Sequence, residues 1–200
     1  LEDDPELPPA KREQAGIIRR HSERIKTLVS DLNLASKLEY DMQPIRQHSV
    51  VPAALLRDIA AEFLNGGLDA HHTLEIRIAD TAQNVVITGD EGLLRRAFSN
   101  LITNSIGHNP NGCAINMILE KGLGICILRF IDNGEGFPQA VLENPNQTRD
   151  TAGLQNHGLG LTIVRQIVKS HGGTTELHNL PKGGCEVIIC LPIINRNILL

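Results

Sequence analysis

The sequence is poor in aromatic residues and has no long apolar run. It contains no tryptophan, one tyrosine and four phenylalanines, so few side chains could stack on nucleic-acid bases. No apolar stretch approaches the roughly 20 residues that cross a bilayer. With 19 basic and 23 acidic residues, the net charge is −4, which gives no general attraction to nucleic acid. We therefore expect an aliphatic core and contact with neither nucleic acid nor a membrane.

Cysteine is also scarce, and its spacing argues against a metal site or a disulfide framework. The four cysteines lie in apolar, strand-like runs and form no C-x-x-C pair: Cys113, Cys126, Cys185 and Cys190. We expect buried thiols in a reducing compartment. A hydrophobic content of 41% excludes a disordered chain. The first residue is Leu1 rather than methionine, from which we expect a piece of a longer protein.

The first segment, residues 1–43, reads as an acidic, proline-rich lead-in followed by a long amphipathic helix. Apolar residues recur every seven positions at Ile18, Ile25 and Leu32, which predicts a helix over residues 11–40 with an apolar seam. The sequence offers no second helix of matching pattern. We therefore expect the seam to pack on a helix outside this chain or on another copy of it.

Residues 44–192 read as one α+β domain, followed by a tail at 193–200. Helices are predicted at 52–64, 91–107 and 161–170. Strands are predicted at 45–51, 73–79, 84–88, 113–120, 125–131, 174–178 and 185–191. Because the strands come mostly in hairpins, the pattern favours a two-layer sandwich, a mixed β-sheet covered on one face by helices. The polar segment 138–157 is predicted to be a mobile loop.

Polar side chains that could carry chemistry fall into four blocks. Asn100 and Asn104 are four residues apart on one predicted helix and share a face, and His108 continues the row. A glycine-rich turn at 132–136 follows a predicted strand. A second glycine block occupies 158–161, and a glycine pair follows at 183–184, where we expect a tight turn. Neither a dinucleotide-binding fingerprint nor a phosphate loop is present.

In this order, the blocks resemble those of the GHKL ATPase superfamily, and within it the catalytic domain of two-component sensor histidine kinases. The asparagine box of that family resembles residues 100–109, and its two glycine boxes resemble 132–136 and 158–161. Residues 11–43 look like the second helix of the dimerisation hairpin, and residues 45–191 like the whole ATP-binding domain. The resemblance thus covers most of the chain.

The resemblance implies that the domain binds ATP with Mg²⁺. Asp132 would accept a hydrogen bond from the adenine amino group, although an Asp-Asn-Gly run alone could be only a turn. Asn104 would bind Mg²⁺ through its amide oxygen, and Asn100 would orient water or phosphate. The remaining implied nucleotide contacts are His108, Gly134, Gly136, Gly158, Leu159, Gly160 and Leu161. The last four would lie where a helix N-terminus receives the triphosphate.

The resemblance also implies a role for the whole protein. It would transfer the γ-phosphoryl group of ATP to a histidine, from which the receiver domain of a response regulator takes it on an aspartate. It would be a homodimer through the helical hairpin. This part of it would be cytoplasmic, with the parent protein anchored in a bacterial cell membrane.

Several positions depart from the family pattern. Gly107 stands where a lysine or arginine is usual, Asn156 stands where a glycine is usual, and the phenylalanine pair of the lid at 138–157 is absent. His21 lacks the acidic residue and the proline that follow an acceptor histidine. We therefore expect that the chain lacks the acceptor and does not autophosphorylate.

Two alternatives remain open. One is a catalytically weak, nucleotide-gated dimerisation or regulatory module of the same fold. The other is a serine kinase of the anti-sigma type, which the long helix disfavours.

Overall fold

A computed structural model describes residues 8–39, 45–143 and 158–194 of the chain. The helices are α1 (Pro9–Glu39), α2 (Pro52–Asn65), α3 (Glu91–His108), α4 (Gln139–Glu143) and α5 (Gly158–Ser170). The strands are β1 (His48–Val50), β2 (Thr73–Ile78), β3 (Ile87–Gly89), β4 (Ala114–Lys121), β5 (Ile125–Asp132), β6 (Thr174–Asn179) and β7 (Cys185–Pro192). A short 3-10 turn, Asp80–Ala82, follows β2.

Five strands form one mixed sheet, in the order β2-β4-β5-β7-β6. Strands β2 and β4 are parallel, and the other neighbours are antiparallel. Helices α2, α3 and α5 pack on this sheet. The predicted α+β sandwich with a mixed sheet and a preceding long helix is therefore confirmed.

The core lies between the sheet and these helices and is aliphatic, as the composition predicts. Strand β5 alternates strictly, with buried residues at every second position from Cys126 to Asp132. Phe98 on α3 and Phe130 on β5 provide the one ring contact among the described residues, at 5.6 Å between centroids. Since the alternation runs to the end of β5, Asp132 faces the same side as the core.

The two strands that follow α2 belong to different sheets. Strand β2 pairs with β4 in the main sheet, and β3 pairs with β1 in a separate two-stranded sheet. The 3-10 turn between them buries Ala82 completely and carries the chain away from the edge of the main sheet. Strand β3 is also shorter than predicted.

Helix α1 has a partner within the chain, although this partner does not cover the predicted seam. It packs on α5, and Leu34 and Leu38, one turn apart near its end, are buried. The seam behaves differently, since Ile18, Ile25 and Leu32 are 66%, 61% and 54% exposed. The helix thus carries two apolar stripes, and the chain covers the one formed by its last turns.

The loop predicted at 138–157 begins with a short helix, α4, whose Val141 is buried in the core. Asn156 and the rest of that loop lie outside the described residues. Helix α5 begins at Gly158 rather than Leu161, so the second glycine block is its first turn. No helix among the described residues combines the length and the apolar character of a membrane span.

His171 joins the end of α5 to the start of α3. Its Nε2 accepts a hydrogen bond from the backbone N–H of Asp90 at 2.9 Å, so Nδ1 carries the proton and donates to the carbonyl of Ile167 at 2.6 Å. Asp90 in turn caps α3 by accepting from the N–H of Leu93. Burial lowers the pKa of His171, because the charged imidazolium would lose its hydration there.

Because His171 is buried in its neutral form, we predict that the protein loses stability in acid. The unfolded chain binds a proton near pH 6.5 and the folded chain resists it, so the free energy of unfolding should fall as the pH drops below about 6.5. The slope from this group is at most about 1.4 kcal/mol per pH unit. Denaturant titrations from pH 7.5 to 5.5 measure it. His171→Gln should flatten the slope, whereas the exposed His178→Gln should keep it, and equal slopes in all three proteins would contradict the assignment.

Candidate functional site

A cavity of about 120 Å³ opens where the C-terminal end of α3 and the first turn of α5 meet the ends of β5 and β7. Its walls combine aliphatic and aromatic side chains with a few polar ones. The lining residues are Leu101, Asn104, Ser105, His108, Asn109, Phe130, Asp132, Glu135, Gly136, Phe137, Pro138, Leu161, Cys185 and Val187. An apolar cavity with a small number of convergent polar groups is the usual form of a small-molecule site.

Asp132 is the buried charge of this cavity, only 5% exposed. Its Oδ2 accepts from the hydroxyl of Ser105 at 2.8 Å and from the thiol of Cys185 at 3.2 Å. Its Oδ1 accepts from the N–H of Gly134 at 3.0 Å. A buried carboxylate needs such donors, because an uncompensated charge in the interior is costly.

The strand register explains the contact with Cys185. In the antiparallel pair β5–β7, Cys185 is directly opposite Asp132, so both side chains lie on the same face. Burial, and then the charge of Asp132, raise the pKa of the Cys185 thiol. The thiol therefore stays protonated and donates. The turn before it is tight, with the N–H of Leu180 bonded to the carbonyl of Gly184, as expected for the glycine pair at 183–184.

Asn109 links the turn after β5 to the end of α3 through hydrogen bonds to both, and we call this pair of hydrogen bonds the clasp. Its Oδ1 accepts from the N–H of Glu135 at 3.2 Å, and its Nδ2 donates to the carbonyl of Ser105 at 2.7 Å. Its own carbonyl lies 2.9 Å from Nε2 of His72. Asn109 is the C-cap of α3, and it also joins Ser105 on α3 to Glu135 in the turn after Asp132.

The clasp explains why residue 134 is a glycine. A Cβ on Gly134 would lie 1.9 Å from Oδ1 of Asn109, so close that the amide would have to move. The turn therefore passes against Asn109 only without a side chain.

Asn104 faces the first turn of α5. A Cβ on Gly160 would lie 3.1 Å from Oδ1 of Asn104, so the glycine leaves the amide room beside the helix start. The backbone N–H groups of such a first turn have no partner within the helix and point outward. Asn104 lines the cavity, and Gly160 places this turn directly beside it.

Asn100 shares the helix face of Asn104 but not its place in the cavity wall. It lies one turn before Asn104 on α3 but does not line the cavity, and its Nδ2 is buried without a hydrogen-bond partner. His108, one turn after Asn104, does line it.

The structure thus brings most of the predicted site residues together. Those that line the cavity are Asn104, His108, Asp132, Gly136 and Leu161. Gly134 and Gly160 lie beside it, against Asn109 and Asn104. Gly158 and Leu159 begin α5, and the side chain of Leu159 is outside what the structure describes.

The lining residues that sequence reasoning missed include Ser105, Asn109, Cys185 and Phe137. Ser105 and Asn109 belong to the asparagine block, but they lie off the helical row on which the predicted site residues of α3 fall, so that row carries no signal for them. Phe137 directly follows the first glycine block, and only the placement of that turn beside the cavity could have indicated it. Cys185 could have been found only from the pairing of β5 with β7.

The charges of the cavity are mostly acidic. Asp132 and Glu135 line it, and among the described residues neither a lysine nor an arginine does. Gly107, where a cation was expected from the family pattern, is exposed, and a Cβ there would meet nothing within 4 Å. No group of three or more His, Cys, Asp or Glu side chains in the described part of the chain could hold a metal ion. A metal ion here would need ligands from a bound molecule as well as from Asn104.

A family model and several sensor histidine kinases are similar to this chain. The family model of histidine kinase-, DNA gyrase B- and HSP90-like ATPases matches residues 89–195, more than half of the chain. Sensor histidine kinase YvrG of Bacillus subtilis (strain 168) is 26% identical over 190 residues, which cover 91% of this chain and 32% of YvrG. The chain thus spans about a third of the length of that relative.

Two solved structures share the fold. Full-length ShkA in complex with AMPPNP superposes with a TM-score of 0.77 at 19% identity, covering 96% of this chain and 41% of ShkA. Histidine kinase ThkA in complex with the response regulator protein TrrA gives a TM-score of 0.71 at 20% identity, covering 95% of this chain and 52% of that one. The chain therefore belongs to the histidine kinase-, DNA gyrase B- and HSP90-like ATPase family, as a GHKL-type ATP-binding domain of the sensor histidine kinase kind.

The clasp by Asn109 yields a prediction about stability. Gly134→Ala should lower the free energy of unfolding by roughly 1–3 kcal/mol, because the new methyl group displaces Asn109 from its buried hydrogen bonds. Gly107→Ala is the matched control: it has open space and should be neutral or stabilising by up to about 1 kcal/mol. Urea denaturation measures both, and equal effects of the two substitutions would contradict the clasp.

Proposed function

We propose that the cavity binds Mg·ATP, with Asp132 as the group that recognises adenine. The observation that carries this proposal is the buried carboxylate at the end of β5, facing a cavity with apolar walls. Adenine presents an amino donor at its 6-position, and a carboxylate accepts from it. Guanine presents a carbonyl oxygen at the same position, which a carboxylate repels.

The phosphates are proposed to lie toward the first turn of α5. The outward amides there suit an anion, and Gly158, Leu159, Gly160 and Leu161 supply them. Asn104 faces the same turn and is the proposed Mg²⁺ ligand, since its amide oxygen suits a hard cation. Bound Mg²⁺ would supply the positive charge that the lining side chains lack. Gly134 and Gly136 let the backbone approach the base, and His108 is proposed to contact the nucleotide.

Asn100 is proposed to act through its neighbours rather than on the nucleotide. Its buried, unpartnered Nδ2 lies one turn from Asn104, outside the cavity lining. A donor in this position could bind a water molecule that reaches the phosphate side of the site, in agreement with the role that the resemblance implies.

In the whole protein, we propose that the γ-phosphoryl group passes to a histidine and then to an aspartate of a response-regulator receiver domain. The named relatives support this, since YvrG is a sensor histidine kinase and the ThkA structure contains a response regulator. The exposed seam of α1 supports a homodimer through a helical hairpin, because Ile18, Ile25 and Leu32 have no cover within the described part of the chain. The four free cysteines suit a cytoplasmic location, and a membrane anchor of the parent protein stays a prediction.

A second candidate, a nucleotide-gated regulatory module without efficient transfer, is favoured by one observation. Neither a lysine nor an arginine lines the described cavity, and Gly107 leaves open space where a cation would stand. Phosphoryl transfer depends on neutralising the charge of the phosphates, so the lack of lysine and arginine in the described lining would weaken catalysis more than adenine binding.

The adenine assignment is tested with Asp132→Asn. The amide cannot accept from all the donors around it, so affinity for Mg·ATP should fall roughly 5- to 150-fold. Isothermal titration calorimetry measures the affinity, and thermal unfolding checks the fold. Glu176→Gln, which changes an exposed carboxylate outside the cavity, is the control. Wild-type affinity in Asp132→Asn would exclude the assignment.

Transfer is tested by adding a separate polypeptide that carries an acceptor-histidine helix, with Mg²⁺ and [γ-³²P]ATP. Acid-labile label on that polypeptide is expected, and Asn104→Ala should abolish it by removing the Mg²⁺ ligand. Binding of ATP without any transfer would favour the regulatory module instead. Label on His21 of the chain alone would contradict the expectation that it lacks the acceptor.

A further inference from the structure

The hydrogen bonds of Asp132 leave little of its carboxylate open. A carboxylate offers about four acceptor positions on its two oxygens. Ser105 and Cys185 occupy two of them on Oδ2, and the N–H of Gly134 occupies one on Oδ1. One position on Oδ1 therefore remains for a ligand.

The three donors come from three different parts of the fold. Ser105 is on α3, Gly134 is in the turn after β5, and Cys185 begins β7. The position of Ser105 is itself fixed, because its carbonyl accepts from Nδ2 of Asn109 at 2.7 Å and from the thiol of Cys113 at 3.6 Å. The carboxylate plane is thus held from both sides rather than free to rotate.

We propose that Ser105 and Cys185 are positioning residues that set base specificity, by filling Oδ2 so that a single acceptor position on Oδ1 faces a 6-amino purine. This rests on the proposed function, since it assumes that Asp132 reads the base. A carboxylate with both oxygens free could rotate or bind a bridging water, and would then accept ligands that differ at the 6-position. With Oδ2 filled, only a donor placed at the open position of Oδ1 compensates the charge.

The thiol suits this purpose chemically. A protonated thiol is a hydrogen-bond donor, so Cys185 fills its position on Oδ2. Because burial keeps the thiol protonated, it does not repel Asp132. A serine at the same position would also donate, and it should therefore preserve the effect.

The experiment compares two nucleotides that differ only at the 6-position. ATP carries the amino group, and purine riboside triphosphate carries hydrogen there. The wild-type domain should bind ATP more tightly than purine riboside triphosphate in calorimetric titrations with Mg²⁺. Ser105→Ala and Cys185→Ala should each reduce this preference about 3- to 10-fold, by weakening ATP binding and leaving purine riboside triphosphate unchanged.

The controls separate positioning from folding. Cys185→Ser should restore the wild-type preference, and Cys190→Ala, which removes a thiol on the same strand outside the cavity, should not alter it. An equal loss for both nucleotides in the alanine variants would show that Ser105 and Cys185 only support the fold, and would overturn the proposal. If Cys185→Ala does not fold, the other two variants test the proposal: the preference for ATP should fall in Ser105→Ala and should not fall in Cys185→Ser.

If the proposed ATP site itself is wrong, the same experiment gives a different result. A wild-type domain that binds neither nucleotide contradicts the proposed ATP site, and the positioning proposal with it. A wild-type domain that binds both equally well keeps the nucleotide site but overturns the role of Asp132 at the 6-position. Wild-type preference that survives both alanine substitutions overturns only the positioning proposal.

Discussion

The site depends on keeping one ionised carboxylate inside the protein. Asp132 is 5% exposed and would be too costly to bury without donors, and it receives three of them from a helix, a turn and a facing strand. These contacts tie α3, β5 and β7 together at one point. The hydrogen bonds of Asp132 therefore help to fix the geometry of the cavity, and the proposed recognition of the base uses the acceptor position that is left.

The surroundings of this carboxylate include a turn whose backbone lies very close to Asn109. The N–H of Gly134 donates to Asp132 within a turn that passes against Asn109, and Asn109 stays in place only if residue 134 has no side chain. Nδ2 of Asn109 also donates to the carbonyl of Ser105, and the hydroxyl of Ser105 is a second donor to Asp132. Packing against Asn109 thus requires glycine at position 134, and the same packing keeps the donors to Asp132 in place. Hydrogen bonds therefore join the asparagine block to the first glycine block.

Much of this could be predicted from the sequence, because its local patterns are strong. The spacing of Asn104 and His108 places both on one helix face, and the resemblance of 132–136 to a glycine box indicates Asp132. Pairings between distant segments could not be predicted in the same way. Helix α1 packs on α5 and buries Leu34 and Leu38, whereas the residues of the heptad repeat stay exposed. The role of Cys185 depends on a strand register that no local pattern encodes.

The distribution of charge suggests how the proposed work is divided. The described cavity holds Asp132 and Glu135 but neither a lysine nor an arginine, so its side chains favour the base more than the phosphates. The neutralisation that phosphoryl transfer needs would come from helix amides and from Mg²⁺ at Asn104. Helix α1 packs on α5, and its exposed seam is the surface on which an acceptor helix could be held close to the domain. The domain would then supply recognition of the nucleotide, and the arrangement that completes transfer would be assembled only when α1 gains its partner.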